Sequence, residues 1–335
     1  MRSRMLIIAG MVIVGTLATV AYLRTGLLNL PSVPDEVTAS DAGLDKLERM
    51  KEINLAIYGG KTDGNSSSPV SVASAALAEI RAGEFERGVH DLQEGVAREP
   101  ENLVLGNLLR VETFKLQREW LTKQASESEI ALHFPDHLRD QPTLFFRDLA
   151  KRHPIREVKL QLALSLVDHM LLFPALEIKA PASVEAVEIL SEVVTSSDAS
   201  RAYYVPALYA RGLNYLYRPF NLVWPEKIAA PPGASSADLS LAVAVGQKIG
   251  AGSDLLKAEL SLSLGDAYAK EGKLSLARSW WQIANNLAKE DDFRVRVFTR
   301  LKLDDEKLSS SLEQILQQQM EDLDHPLSDL RFMWQ

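Results

Sequence analysis

Between Ala258 and Leu287 the chain reads AELSLSLGDAYAKEGKLSLARSWWQIANNL. Leu260, Leu264, Ala267 and Tyr268 recur at helical spacing. Gly272 breaks the run, and Leu276, Ala277, Trp280, Trp281 and Ala284 resume the same period. The spacing predicts two helices joined by a tight turn. Gly265 and Ala277 are small enough for two backbones to approach closely, while Leu264, Tyr268 and Trp281 fill the space on either side. One such hairpin cannot bury its apolar face alone and needs neighbours of the same kind stacked against it. This stretch therefore predicts an all-α fold, a helical-hairpin solenoid of about five hairpins, and its usual work is holding partners.

The run Leu264, Gly265, Tyr268, Gly272, Ala277, Trp281, Ala284 resembles the tetratricopeptide repeat signature in its small, aromatic and alanine positions. Ser71 to Pro100 resembles it again, through Ala76, Gly83, Phe85, Gly88, Leu92, Gly95 and Pro100. Glu79 stands where the tyrosine belongs, so this second likeness rests mainly on the latter half of the hairpin. Gly88 and Gly95 replace alanines, at about 1 kcal/mol each in a helix interior, which makes the hairpin marginal without its neighbours. The resemblance implies a TPR-like superhelix in which these residues pack the repeats. One use of that family is to clamp a peptide carboxylate with Lys, Asn and Arg on the inner helices. Here the groove-facing positions of the best repeat are Glu259, Leu262, Asp266 and Ala269, which lack those cations. The implied ligand is instead an internal protein segment in a mixed polar and apolar groove.

Met5 to Leu23 is an uncharged run of 19 residues preceded by Arg2 and Arg4. As a helix it spans roughly 28 Å, close to the hydrocarbon thickness of a bilayer. With the arginines held in the cytoplasm, everything after Arg24 lies on the far side. The expectation is a single-pass anchor over 1–24 with the main domain in a bacterial periplasm. A cleaved signal peptide, with Thr19 and Ala21 as a small-residue site, is the rival reading and would leave a secreted protein. Residues 25–70 then read as a spacer with Pro31 and Pro34, an amphipathic helix through Leu44, Leu47, Met50, Ile53 and Ile57, and the Gly/Ser linker KTDGNSSSP.

The solenoid is expected over 71–322. Its looser middle hairpins are Val158–Leu172 with Ser183–Val194, around a loop holding Pro174 and Pro181, and Ala202–Tyr217 with Leu239–Ile249. The insertion 218–237 is too long for a repeat turn. Five of the eight tyrosines, Tyr203, Tyr204, Tyr209, Tyr215 and Tyr217, precede it, and Phe220 and Trp224 lie within it. Aromatic side chains of this kind either plug the wider gap between helices or anchor a partner. The tail 323–335 carries Leu330, Phe332, Met333 and Trp334, which either tuck onto the last hairpin or offer an apolar peptide to another protein. The candidate partner-binding residues are thus Tyr209, Phe220, Trp224, Asp266 and Trp334.

The net charge of -8 gives no cationic face for nucleic acid, and the absence of cysteine excludes disulfides, thiolate metal sites and cysteine nucleophiles. His133 and His137 are four apart, but Pro135 separates them and no third ligand is evident, so a solvated turn is the better account. No nucleophile elbow, zinc motif or dinucleotide-binding glycine pattern occurs, and no cofactor is expected. The sequence points to a non-catalytic, membrane-anchored adaptor that binds a protein partner through its groove during assembly of an envelope complex. The alternatives are an obligate structural subunit of a larger membrane complex and a periplasmic enzyme with a site in the aromatic region 203–224.

Overall fold

A computed structural model describes residues 30–59, 68–123, 140–173, 176–195, 202–218, 230–321 and 327–335. The expected anchor over 5–23, most of the Gly/Ser linker, His133, His137, Phe220 and Trp224 lie outside these residues. The described residues are all-helical, without a strand. Among them no helix is long and apolar enough to cross a membrane.

The helices are α1 (Leu47–Tyr58), α2 (Pro69–Arg81), α3 (Phe85–Arg98), α4 (Leu103–Lys123), α5 (Gln141–Arg152), α6 (Arg156–Leu172) and α7 (Leu176–Thr195). They continue as α8 (Val205–Leu216), α9 (Ala234–Ile249), α10 (Asp254–Lys270), α11 (Leu274–Leu287), α12 (Asp291–Leu301) and α13 (Leu308–Glu321). Consecutive helices pack on one another from α1 to α12, and α2, α4, α6, α8 and α10 each also touch the second helix onward or, for α10, α13. The second-neighbour contacts join these even-numbered helices into one inner layer, with α3, α5, α7, α9 and α11 outside it.

Local chemistry explains the best-formed hairpins. Ser68 and Ser253 cap α2 and α10, each hydroxyl accepting the N–H three residues on at 3.1 Å. Gly83 and Gly272 turn the chain at φ of 87° and 75°, and α3 and α11 begin two residues after each. Close approach is set by matched small residues. A Cβ on Gly88 would lie 2.6 Å from the Ala76 carbonyl oxygen, and one on Gly265 would lie 2.6 Å from Trp281 Nε1 and 3.1 Å from the Ala277 carbonyl oxygen.

Two boundaries and the placement of the spacer differ from the sequence reading. Pro181 lies inside α7 rather than in a loop, in a helix that starts at Leu176. Helix α9 starts at Ala234, so the insertion is shorter than 218–237; left-handed Gly233 opens the helix, and Ser235 Oγ fastens it to the Gly212 carbonyl at 2.8 Å. The proline-bearing spacer is docked against the helices. Lys248 Nζ donates to the carbonyls of Val33 and Pro34 at 2.6 Å, and Arg156 donates to those of Asp41 and Ser40. Val205 N–H donates to the Ala42 carbonyl at 3.1 Å, and Lys46 pairs with Glu101 at 3.1 Å. Residues 33–46 thus run from the C-terminal end of α9 across the N-terminal ends of α6, α8 and α4 in turn.

Candidate functional site

The inner layer is where a groove is expected, and it is full. Residues 327–335 lie across it, burying Leu330, Met333 and Trp334 in the same core cluster as the helices. The Phe332 ring packs on Tyr209 of α8 with centroids 5.0 Å apart. Trp334 lies in a cleft with Ile57 and Tyr58 of α1 and Val104, Leu108 and Val111 of α4. The tail therefore does tuck in, but it reaches the opposite end of the stack from the last hairpin.

Four side chains missing from the sequence-based candidates organise this face. Arg110, fully buried on α4, donates to Gln161 Oε1 at 2.6 Å and Asp168 Oδ2 at 2.8 Å on α6, to Asn107 Oδ1 at 3.0 Å, and to the Ser328 carbonyl at 2.8 Å. Asn107 accepts the Leu330 N–H at 2.9 Å and donates to Asp329 Oδ1 at 2.9 Å. Ser328 Oγ donates to Asp168 Oδ1. Burial pushes the Asp168 carboxyl up from the usual range, outweighing the opposing pull of the Arg110 cation and the hydrogen bonds from Ser328 and Arg110. The signal was present in the sequence: Arg110 stands between apolar residues in LLRV, and Asp168 lies in SLVDHMLL, where only Ser165 and His169 are also polar.

A second buried network ends the stack. Asp266 of α10 receives Arg300 Nε at 2.7 and 2.9 Å and Nη2 at 2.7 Å, together with Trp281 Nε1 at 2.8 Å. Arg300 also donates to Gln319 Oε1 at 2.7 Å, which accepts the Tyr217 hydroxyl at 2.9 Å. Glu259, eight-ninths or more buried, is held by both terminal nitrogens of Arg296 at 2.8 Å.

Compared with known proteins, the chain matches no family model, no curated protein and no solved structure.

The residues named from the sequence thus fall into three groups. Leu264, Gly265, Tyr268, Ala277, Trp281 and Ala284 are buried between α10 and α11, as Gly88 and Leu92 are against α2, and Gly83 forms the turn. Phe85, expected to be a packing residue, is not buried: it starts α3 with 46% of its surface exposed, because the close contact between α2 and α3 is made by Gly88 and Leu92 a turn or more later. Tyr209, Asp266 and Trp334 are not displayed to a partner; each is buried and engaged by the chain itself. Burial pushes the Tyr204, Tyr209 and Tyr217 hydroxyls well above the ordinary tyrosine range. Tyr204 lies under the Arg156 guanidinium at 4.3 Å. Among the described residues, no group of three or more His, Asp or Glu is placed to hold a metal ion.

Proposed function

We propose that this chain is a non-catalytic scaffold of the tetratricopeptide kind, tethered by its amino-terminal helix and holding a protein partner outside the cytoplasm. The observation that carries the reading is the inner layer holding residues 327–335: Arg110 and Asn107 of α4 reach the segment's backbone, Asp168 of α6 accepts from its Ser328 side chain, and Tyr209 of α8 packs on its Phe332 ring. That is how helical-repeat surfaces recognise protein. The close approach of Trp281 to Gly265, and of the Ala76 carbonyl to Gly88, supports the repeat relationship. One core cluster running from Ala42 to Trp334 favours a chain that folds by itself over an obligate subunit. The tether rests on the 5–23 run and the two arginines before it.

A photo-crosslinking residue placed in living cells at Tyr58, beside the Trp334 cleft, and separately at Val295, exposed on α12, tests the reading. The expected result is a discrete protein adduct from a chain recovered in the membrane fraction. Recovery in the cytosol, or no discrete adduct at either position, overturns it.

A further inference from the structure

We propose that residues 327–335 are an intramolecular ligand, and that the inner face is a recognition site for the chemistry they carry: Ser-Asp-Leu followed by spaced aromatic and apolar side chains. The segment plugs the site in cis, and a protein segment with the same order of side chains has to displace it. The identity of that competitor rests on the adaptor reading above; the site and its plug do not.

The first argument is preorganisation. Arg110 is fully buried, yet three of its four partners, Gln161, Asp168 and Asn107, belong to the helices and hold it in place whether or not the tail is there. The side chains that read the segment are therefore set in advance, which lowers the ordering cost of binding. Asp168 and Asn107 are fixed in the same way and turn their remaining capacity toward Ser328, Asp329 and Leu330.

The second argument is the mode of contact. Apart from one short 3-10 turn at Arg331–Met333, the segment is irregular, and helix side chains contact its backbone at Ser328 and Leu330 and its polar side chains at Ser328, Asp329 and Arg331. Leu330, Met333 and Trp334 supply apolar anchors, the last two beyond those contacts, and the Phe332 ring packs at a tilt on Tyr209. A segment folded as core would be held mainly by burial; this one is also read residue by residue.

The third is an imperfection. Trp334 Nε1 is buried without a hydrogen-bond partner among the described residues. The resident segment thus leaves one donor unmet, and a competitor that brings an acceptor there, or lacks the donor, improves on it.

The test uses the full chain with its own segment disarmed by Leu330→Asp and Trp334→Ala, and a fluorescent synthetic peptide of residues 327–335 as the probe. The disarmed chain is expected to keep wild-type helical content and to bind the peptide saturably, while the wild-type chain, plugged in cis, binds at least about tenfold more weakly. Adding Asn107→Ala to the disarmed chain is expected to weaken peptide binding by about tenfold. A folded disarmed chain that ignores the peptide, or a wild-type chain that binds it equally well, overturns the proposal. If the disarmed chain loses its helices, a second measurement decides: the wild-type chain with a protease site inserted within 322–326 is cut after purification and mixed with labelled peptide. Exchange faster than global unfolding supports the intramolecular ligand; exchange no faster than unfolding makes the segment ordinary core and overturns it. Either failure leaves the crosslinking test of the adaptor untouched.

Discussion

Trp281 lies with its indole edge directly over Gly265, so close that a Cβ there would sit 2.6 Å from Nε1, and its ring nitrogen donates to Asp266 on the next residue at 2.8 Å. The two helices of this hairpin touch where one has no side chain and the other has the largest. In α2–α3 the residues at the corresponding distances from the turn glycine are Ala76 and Leu92. A smaller residue on the second helix goes with one more carbon on the first.

This complementarity predicts a coupled pair. Gly265→Ala is expected to destabilise the chain by about 1–3 kcal/mol, because the buried indole cannot withdraw. In a Trp281→Leu background the same change is expected to cost far less, since it recreates the Ala76–Leu92 arrangement. A urea-melt double-mutant cycle reads the coupling directly; additive costs would show that the two side chains do not compete for this space.

Such hairpins were legible in the sequence because everything that specifies them lies within about thirty residues: a serine cap, a turn glycine, and small residues facing large ones. The inner helices were harder to read. In α6, residues from Leu160 to Leu166 are buried in succession, so no polar stripe marks a solvent face. The docking of the tail could not be read from local pattern at all, because its hydrogen-bond partners on α4 and α6 stand 160 to 223 residues away. Pro181 misled because a proline ordinarily marks a break, and Phe85 because a repeat signature does not state which side chain faces solvent.

The glycines of two helices should respond to alanine with opposite signs. Gly246 lies in α9 with nothing within 4 Å of its would-be Cβ, so Gly246→Ala is expected to stabilise by roughly 0.5–1 kcal/mol through helix propensity. Gly88 would gain the same propensity, but its Cβ would meet the Ala76 carbonyl at 2.6 Å and Ile80 Cγ1 at 2.7 Å. Gly88→Ala is expected to lose about 1–3 kcal/mol net. Thermal midpoints of the two variants check the signs; a stabilising Gly88→Ala would mean that α2 and α3 do not approach as closely as described.

Removing the cation from the Asp266–Arg300 pair leaves a buried carboxylate with only the Trp281 N–H. Arg300→Met is expected to cost about 3–5 kcal/mol, and Asp266→Leu combined with it to recover much of that loss. Urea midpoints of the single and double variants measure this, and a double variant no more stable than Arg300→Met refutes the account.

Lys270 supplies the pH dependence. Its Nζ reaches past the end of α8 to donate to the carbonyls of Leu216, at 2.6 Å, and Arg218. Burial, with the nearby Arg218 cation assisting, lowers its pKa to about 8 against an ordinary 10.5. Between those values the unfolded chain binds more protons than the folded one, so stability rises with pH across that window and is lost as pH falls through about 8. Tyr204, Tyr209 and Tyr217 act the other way: their hydroxyls stay protonated in the folded chain while the unfolded chain ionises above about pH 10, so stability falls there. The urea midpoint of the wild-type chain is therefore expected to climb from about pH 8 to about pH 9.5 and then decline. Lys270→Met is expected to abolish the climb and keep the decline, since it removes one titrating group and leaves the tyrosines in place. A wild-type midpoint that is flat or falling between about pH 8 and about pH 9.5 would show that the ammonium keeps its ordinary affinity for its proton, and that the two carbonyls at the end of α8 compensate its burial in full.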